Sequence, residues 1–462
     1  MARITLQGGR VIDPANDIDT VTDLTLDDGQ VVSRETTSKP DTRSDQVIDA
    51  SGLLVVPGLI DPHVHLREPG QEDKETIATG SAAAVAGGFT SVCCMPNTAP
   101  VIDDDGRVEF VYWQAARAGL AHVFPVGAVT RGRGGAELAE IGLMAKAGAV
   151  GFTDDGTAVA SAGVMQKALA YVAMTGQVLM QHCEDPELGG GVMNASPLAT
   201  RLGLAGWPAV AEELMIQRDV LLARHQNFAP QYHVQHLSSA GSVELIRQAR
   251  RDLFANQHVT AEVTPHHLLL TEDACGDYDP NFKMNPPLRS QRDIDALLEG
   301  VADGTITVLG TDHAPHTKEE KELEFAAAPF GVIGLESALA MYRRALIDSE
   351  TIDWPHLIRM MSTNPATLCG LTGKGALHEG ADADVTLIDP DHAWTVDVDQ
   401  FASQARNCPF HGWPAKGQAI GTIVNGRIKL LRDPQRLRHD NERQPIPAEP
   451  HRLLESSAQA TG

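Results

Sequence analysis

Six cysteines in 462 residues, none of them in a C-x-x-C pair, argue against a disulfide framework or a thiolate zinc site. Cys93, Cys94, Cys183, Cys275, Cys369 and Cys408 are scattered and read as core or near-core thiols. Positive charge is scarce as well. There are 37 Lys plus Arg against 61 Asp plus Glu, a formal net charge of −24, which argues against electrostatic affinity for nucleic-acid phosphates or anionic membrane. No apolar run approaches the ~18 residues of a membrane span, and "MARITLQGGRVIDPAND" holds no apolar signal core, so a cytoplasmic protein is expected. A G-x-G-x-x-G turn is missing after the first strand of the central block, which removes the main support for a doubly wound open sheet.

What is present is length enough for one large domain and a smaller one. From Met1 to about Val56 short strand candidates are broken by Gly, Asp-Gly and Pro, and the same texture returns in "ADADVTLIDPDHAWTV" and "GQAIGTIVNGRIKLL". Residues 1–56 and 376–432 are therefore expected to form one composite β-sandwich subdomain. Between them, residues 57–375 alternate apolar strand candidates with alanine-rich helical stretches such as "TGSAAAVAGG". Eight such repeats predict an α/β fold of the (β/α)8 TIM-like barrel type. The polar, Pro-containing residues 433–462 read as a disordered or loosely docked tail.

Nearly every strand candidate of the central block ends in a polar group, and strand C-termini are where such a barrel carries its active site. In "DPHVHLREPG" His63 and His65 are two apart, so both imidazoles can point to one place. His182 in "LMQHCED", His236 in "HVQHLSS" and Asp312 in "VLGTDHAPH" repeat the position. Nitrogen and oxygen donors without thiolate suit zinc or another first-row divalent ion in a catalytic site. Four histidines and an aspartate exceed the needs of one tetrahedral ion. A pair of cations ~3.5–4 Å apart would use them all but needs a bridging anion. "GFTDDG" offers Asp154 and Asp155, and strand alternation cannot choose between them because both faces of a barrel strand are buried. His266 and His267 in "TPHHL" fall outside the filled ligand set and are expected to have a supporting or structural role.

Taken in order, "DPHVHLREPG", "MPNT", "GFTDDG", "HCED", "HLSS", "VTPHHLLL", "KMNPPLR" and "TDHAPHTKEEK" resemble the class I dihydroorotases of the amidohydrolase superfamily, over about Met1 to Gly426. The resemblance implies reversible cyclisation of N-carbamoyl-L-aspartate to L-dihydroorotate in pyrimidine biosynthesis. It implies two Zn2+ ions, with His63 and His65 on the first, His182 and His236 on the second, and Asp155 and a hydroxide bridging them. Asp312 would ligate the first metal and carry the catalytic proton. His65, Arg67, Asn97, Asn285 and His316 match positions that hold substrate, with the main chain of Phe330 and Gly331 closing on it. Related hydantoinases and allantoinases bridge their metals with a carboxylated lysine, and "AVGFTDDG" has none. A homodimer and association with aspartate transcarbamoylase are further expectations. The competing readings are another cyclic amidohydrolase and a scaffold partner of that transcarbamoylase.

Overall fold

A computed structural model of the chain describes residues 3–34, 46–226, 230–252 and 258–439. Most of the segment expected as a tail, residues 440–462, lies outside the described residues. Its beginning does not behave as a free arm, because Leu437–His439 pairs antiparallel with Gln46–Asp49 at the edge of a sheet.

That sheet has nine strands and draws on both chain ends. Ile4–Asp13 pairs antiparallel with Ile18–Asp27 and parallel with Gln46–Asp49 and Leu54–Pro57. Leu54–Pro57 then pairs antiparallel with Val385–Thr395, some 330 residues later, which pairs antiparallel with Pro414–Val424. Pro414–Val424 forms a hairpin with Arg427–Leu431, and Ile18–Asp27 one with Gln30–Ser33. Two tight turns explain the hairpins. Asp28-Gly29 and Asn425-Gly426 both have positive φ at each residue, as the right-handed strand twist favours. Leu6, Val11, Leu24, Ile48, Val385 and Ile423 form the apolar core of this unit, all essentially inaccessible to water.

The central block contains a strand at each of the eight expected places: Leu59–Val64, Phe89–Cys94, His122–Pro125, Gly151–Phe152, Val178–Gln181, Gln231–Val234, His258–Val263 and Val308–Leu309. Neighbours pair in parallel. Single bridges complete the circuit, Gly127 with Phe152 between the third and fourth strands and Val64 with His313 between the first and last. Each strand is short and apolar, and all six residues of Leu59–Val64 and of Phe89–Cys94 are buried. Such strands need cover on both faces: the intervening helices supply one, and Ile60, Cys93, Val126, Val178, Met180 and Val308, packed against one another across the circuit, supply the other.

The helix Ile77–Gly87 ties the two units together. Thr76 caps it by accepting from Thr79 N, and its alanine-rich body is buried almost throughout. Small side chains let it lie close to the end sheet, where Thr422 Oγ1 donates to Val85 O at 2.8 Å and Arg432 donates to Ala86 O at 3.0 Å. The six cysteines are all buried free thiols, as expected.

Candidate metal centre and substrate pocket

His63, His65, Asp155, His182 and His236 sit just beyond or at the ends of four different strands and come together in space. Two groupings of donor atoms are close enough to share an ion: His63, His65 and Asp155, and Asp155, His182 and His236. Asp155 belongs to both. Its Oδ1 lies 3.4 Å from His63 Nε2, 3.6 Å from His182 Nδ1 and 3.5 Å from His236 Nε2, while Oδ2 lies 3.3 Å from His65 Nε2. Asp312 Oδ1 joins the first pair, 2.9 Å from His65 Nε2 and 3.5 Å from His63 Nε2.

Asp154 points elsewhere. Its Oδ1 accepts from Val129 N at 2.9 Å and Thr130 N at 3.0 Å, and its Oδ2 accepts from the Thr130 hydroxyl. The first acid of the pair therefore fastens the neighbouring loop, and the second faces the histidines. Sequence alternation could not separate them, but hydrogen-bond partners do.

The donor set fits a divalent ion. His63 Nε2 and Asp155 Oδ1 are buried with no hydrogen-bond partner, an expensive state for polar atoms unless a cation sits between them. Burial opposes a charge on His63, yet Glu262, Asp155 and Asp312 together raise its pKa well above the usual imidazole value. Burial likewise opposes ionisation of Asp155, and His63, His182 and His236 hold its pKa well below the usual carboxylate range. Positive charge is demanded here, and a metal answers the same demand as a proton while displacing it.

Supporting contacts orient the donors. Glu262 Oε1 lies 2.5 Å from His63 Nδ1, which leaves Nε2 facing the centre, and Glu262 Oε2 lies 3.2 Å from His233 Nε2. Glu262 Oε1 also accepts from His236 N at 3.3 Å, so one carboxylate touches both histidine pairs. Asn97 Oδ1 lies 2.8 Å from His65 Nδ1, and Glu184 Oε2 lies 2.9 Å from His182 Nε2. Arg67, His236 and Asp312 adopt left-handed backbone, with φ of 62°, 33° and 48°. Each such residue stores strain of roughly 1–2 kcal/mol, a concentration typical of sites where side chains are aimed rather than merely packed.

The residues expected to meet substrate surround this centre. Arg67 is buried and donates from Nε to Pro315 O at 3.1 Å, and desolvation lowers its pKa to about 10, so it remains charged at neutral pH. Asn285 Nδ2 donates to Glu184 Oε2 at 2.8 Å and lies 3.2 Å from His182 Nε2. His316 Nε2 lies 2.8 Å from Phe330 O and its Nδ1 2.9 Å from Glu320 Oε2. Gly331 has φ of 126°, and a Cβ there would stand 2.8 Å from that of Ala314, so only glycine fits.

His267 is spoken for by structure, with Nδ1 2.8 Å from Thr264 Oγ1 and Nε2 3.0 Å from Pro286 O. His266 is buried with Nε2 unpartnered, and burial drives its pKa down to about 4. Glu262, Glu184 and Asn407 were missed as site residues. Asn407 donates to both Ala314 O and Gly331 O, at 3.1 and 3.0 Å. A lone acid in the apolar strand "HVTAEV" was the available signal for Glu262.

Comparison with known proteins agrees with this geometry. A family model described as Dihydro-orotase-like matches residues 52–242. A dihydroorotase of Pelotomaculum thermopropionicum is 48% identical over 93% of this chain and 98% of its own length. One of Syntrophus aciditrophicus is 45% identical over 93% of this chain and all of its own. Among solved structures, the L-hydantoinase (dihydropyrimidinase) of Arthrobacter aurescens superposes with a TM-score of 0.82 at 28% identity, covering 94% of this chain and 97% of the other. Relatives this similar over nearly their whole length place the chain in the dihydroorotase family.

Proposed function

We propose that the protein is a dihydroorotase that interconverts N-carbamoyl-L-aspartate and L-dihydroorotate at a two-zinc centre on the C-terminal side of a (β/α)8 barrel. The circuit of eight parallel strands supports the barrel, and the nine-stranded sheet drawn from both chain ends supports a composite β-subdomain of residues 1–56 and 376–432, to which Leu437–His439 adds an edge strand. The observation that carries the reading is the placement of the Asp155 carboxylate within 3.3–3.6 Å of all four histidines, where relatives such as hydantoinases would need a modified lysine. His63 and His65 would hold one ion, His182 and His236 the other, and Asp155 both.

When bound, the ions supply Lewis acidity and an activated water. The side chains do the rest. Asp312 is kept ionised, since burial opposes the charge but His63 and His65 hold its pKa at about 2. In the hydrolytic direction it takes a proton from the attacking water and delivers it to the departing ring nitrogen. Arg67 grips the substrate carboxylate through its planar fork, and Asn97 and Asn285 supply amide donors to that carboxylate and the ring. His316, held against Phe330 O, would bring the Phe330–Gly331 main chain against the substrate.

Turnover of dihydroorotate, hydantoin and allantoin by the purified protein tests the proposal. A clear preference for dihydroorotate is expected, and a preference for either of the others would refute it.

A further inference from the structure

The segment between His316 and Gly331 turns a row of main-chain carbonyls inward, and two buried lysines meet them. Lys283, two residues before Asn285, donates from Nζ to Ala326 O at 2.9 Å and Ala328 O at 2.5 Å, with the same nitrogen 4.5 Å from the ring centroid of Phe330. Its own carbonyl accepts from Gly331 N at 3.0 Å. Lys321 Nζ donates to Pro329 O at 3.0 Å and, at 3.4 Å, to Lys283 O. Every hydrogen bond of either amine thus ends on a carbonyl, and none on a carboxylate.

Acidic side chains, Glu324 near Lys283 and Asp279 and Glu320 near Lys321, act only at a distance. Burying an ammonium with no carboxylate in hydrogen-bond contact is costly, and an apolar side chain would fill the same space more cheaply. Lys283 is 2% and Lys321 8% exposed. What the amines accomplish that apolar groups could not is to collect carbonyls at 326, 328 and 329 around two points. That fixes the course of the chain into Phe330 and Gly331. Because Lys283 binds the segment through both its side chain and its main chain, it also locks Asn285 and Phe330–Gly331 into one mutual geometry. Burial and the neighbouring Lys283 push the pKa of Lys321 down to about 7, and its amine donates to the carbonyls whether protonated or neutral.

We propose that Lys283 and Lys321 are positioning residues for substrate, acting through the Ala326–Gly331 main chain. The inference rests on the dihydroorotase reading for its kinetic readout, but its structural readout is independent of it. Lys283→Met and Lys321→Met keep chain length and remove the charge. Each is expected to raise KM for dihydroorotate by about tenfold or more, the effect of a lost charge-assisted hydrogen bond, with kcat changed by less than about threefold. Metal content is expected to match wild type. Amide hydrogen exchange in residues 317–331 is expected to accelerate by about tenfold or more in both variants, with the rest of the chain unaltered. KM unchanged in both variants, or kcat falling while KM holds, would overturn the inference. If the wild type fails to turn over dihydroorotate, the reaction is wrong, and equal exchange in wild type and variants would then separately overturn the positioning role. Should a methionine variant not fold, Lys321→Gln keeps a neutral donor. An intermediate KM and exchange rate support the proposal, and wild-type values refute it.

Discussion

Asp154 and Asp155 are adjacent, yet replacing them is expected to damage different properties. The Asp154 carboxylate accepts three hydrogen bonds from Val129 and Thr130 in a buried place. Alanine there strands two backbone N–H donors and disturbs the Thr130 hydroxyl. At about 1–3 kcal/mol for each of the two buried donors left unpaired, the loss is roughly 2–6 kcal/mol, a large part of ordinary net stability. Asparagine keeps one oxygen for the two N–H groups and costs about 1–2 kcal/mol. With an unfolding entropy near 2 cal/mol/K per residue, a chain of this length shifts by about 1 °C per kcal/mol, so Asp154→Ala is expected to melt roughly 2–6 °C lower and Asp154→Asn about 1–2 °C lower. Both variants are expected to hold metal with near wild-type affinity while folded. Asp155→Ala removes the carboxylate common to both donor groupings, and its metal affinity is expected to fall by about 100-fold or more, since supporting contacts alone are worth about 10- to 100-fold. Competition with a chromophoric chelator, beside thermal melts of the metal-stripped proteins at one scan rate, reads both properties. Metal loss in Asp154→Ala with retention in Asp155→Ala would refute the assignment of the two acids, and an unchanged melt for Asp154→Ala would refute the hydrogen-bond argument.

Glu262→Gln keeps the shape beside His63 and His233 but not the charge, so the chelator titration is expected to show about 10- to 100-fold weaker binding of metal. N-carbamoyl-L-aspartate carries one more carboxylate than dihydroorotate, so ring closure consumes a proton. The equilibrium ratio, measured by chromatography from both directions, is expected to shift toward the ring by about tenfold per pH unit fall near neutrality, and a ratio independent of pH would exclude this reaction. Asp384 joins the end sheet to the central block through Lys374 Nζ at 2.6 Å and Asn425 N at 2.7 Å. Burial opposes its ionisation, but His122 and Lys374 depress its pKa from 3.8 to about 2. The folded pKa is the lower one, so this stabilisation is full above about pH 4 and is lost as pH falls through about 2. At about 1.4 kcal/mol per unit it amounts to about 2 kcal/mol, and Asp384→Asn is expected to show that deficit in urea melts at pH 7, narrowing at pH 3.

Much of this arrangement was legible in the sequence because two periodicities coincide. Apolar runs of strand length recur with helical stretches between them, and the polar residues that end the first, fourth, fifth, sixth and eighth runs are the ones the fold brings together. The spacing of His63 and His65 aims both imidazoles to one side of their strand, and the polar residues at the ends of later strands gave that pair its meaning. What could not be read depends on partners remote in sequence. Asp154 is distinguished from Asp155 by Val129 and Thr130, some 25 residues earlier, and no local pattern records that. The acid in "HVTAEV" carries no mark of its bond to His63, 199 residues away. In "HTKEEK" the charge spacing predicts a surface helix with i,i+4 pairs, a prediction that holds for Lys318 and Glu322, which pair at 3.5 Å in solvent. It fails for Lys321, which turns inward to carbonyls that only the folded loop provides. Leu437–His439, in a segment expected as tail, finds an open strand edge whose existence depends on the opposite end of the chain.

An aspartate among four histidines has a consequence for how such a centre comes into being. A bridging lysine carbamate has to be assembled after translation from dissolved carbon dioxide, and it decays when that gas is withdrawn. The Asp155 carboxylate enters the chain already complete when Asp155 is joined to Asp154. Maturation of the centre then depends on metal supply alone, and reconstitution is expected to proceed at the same rate in degassed buffer as in bicarbonate.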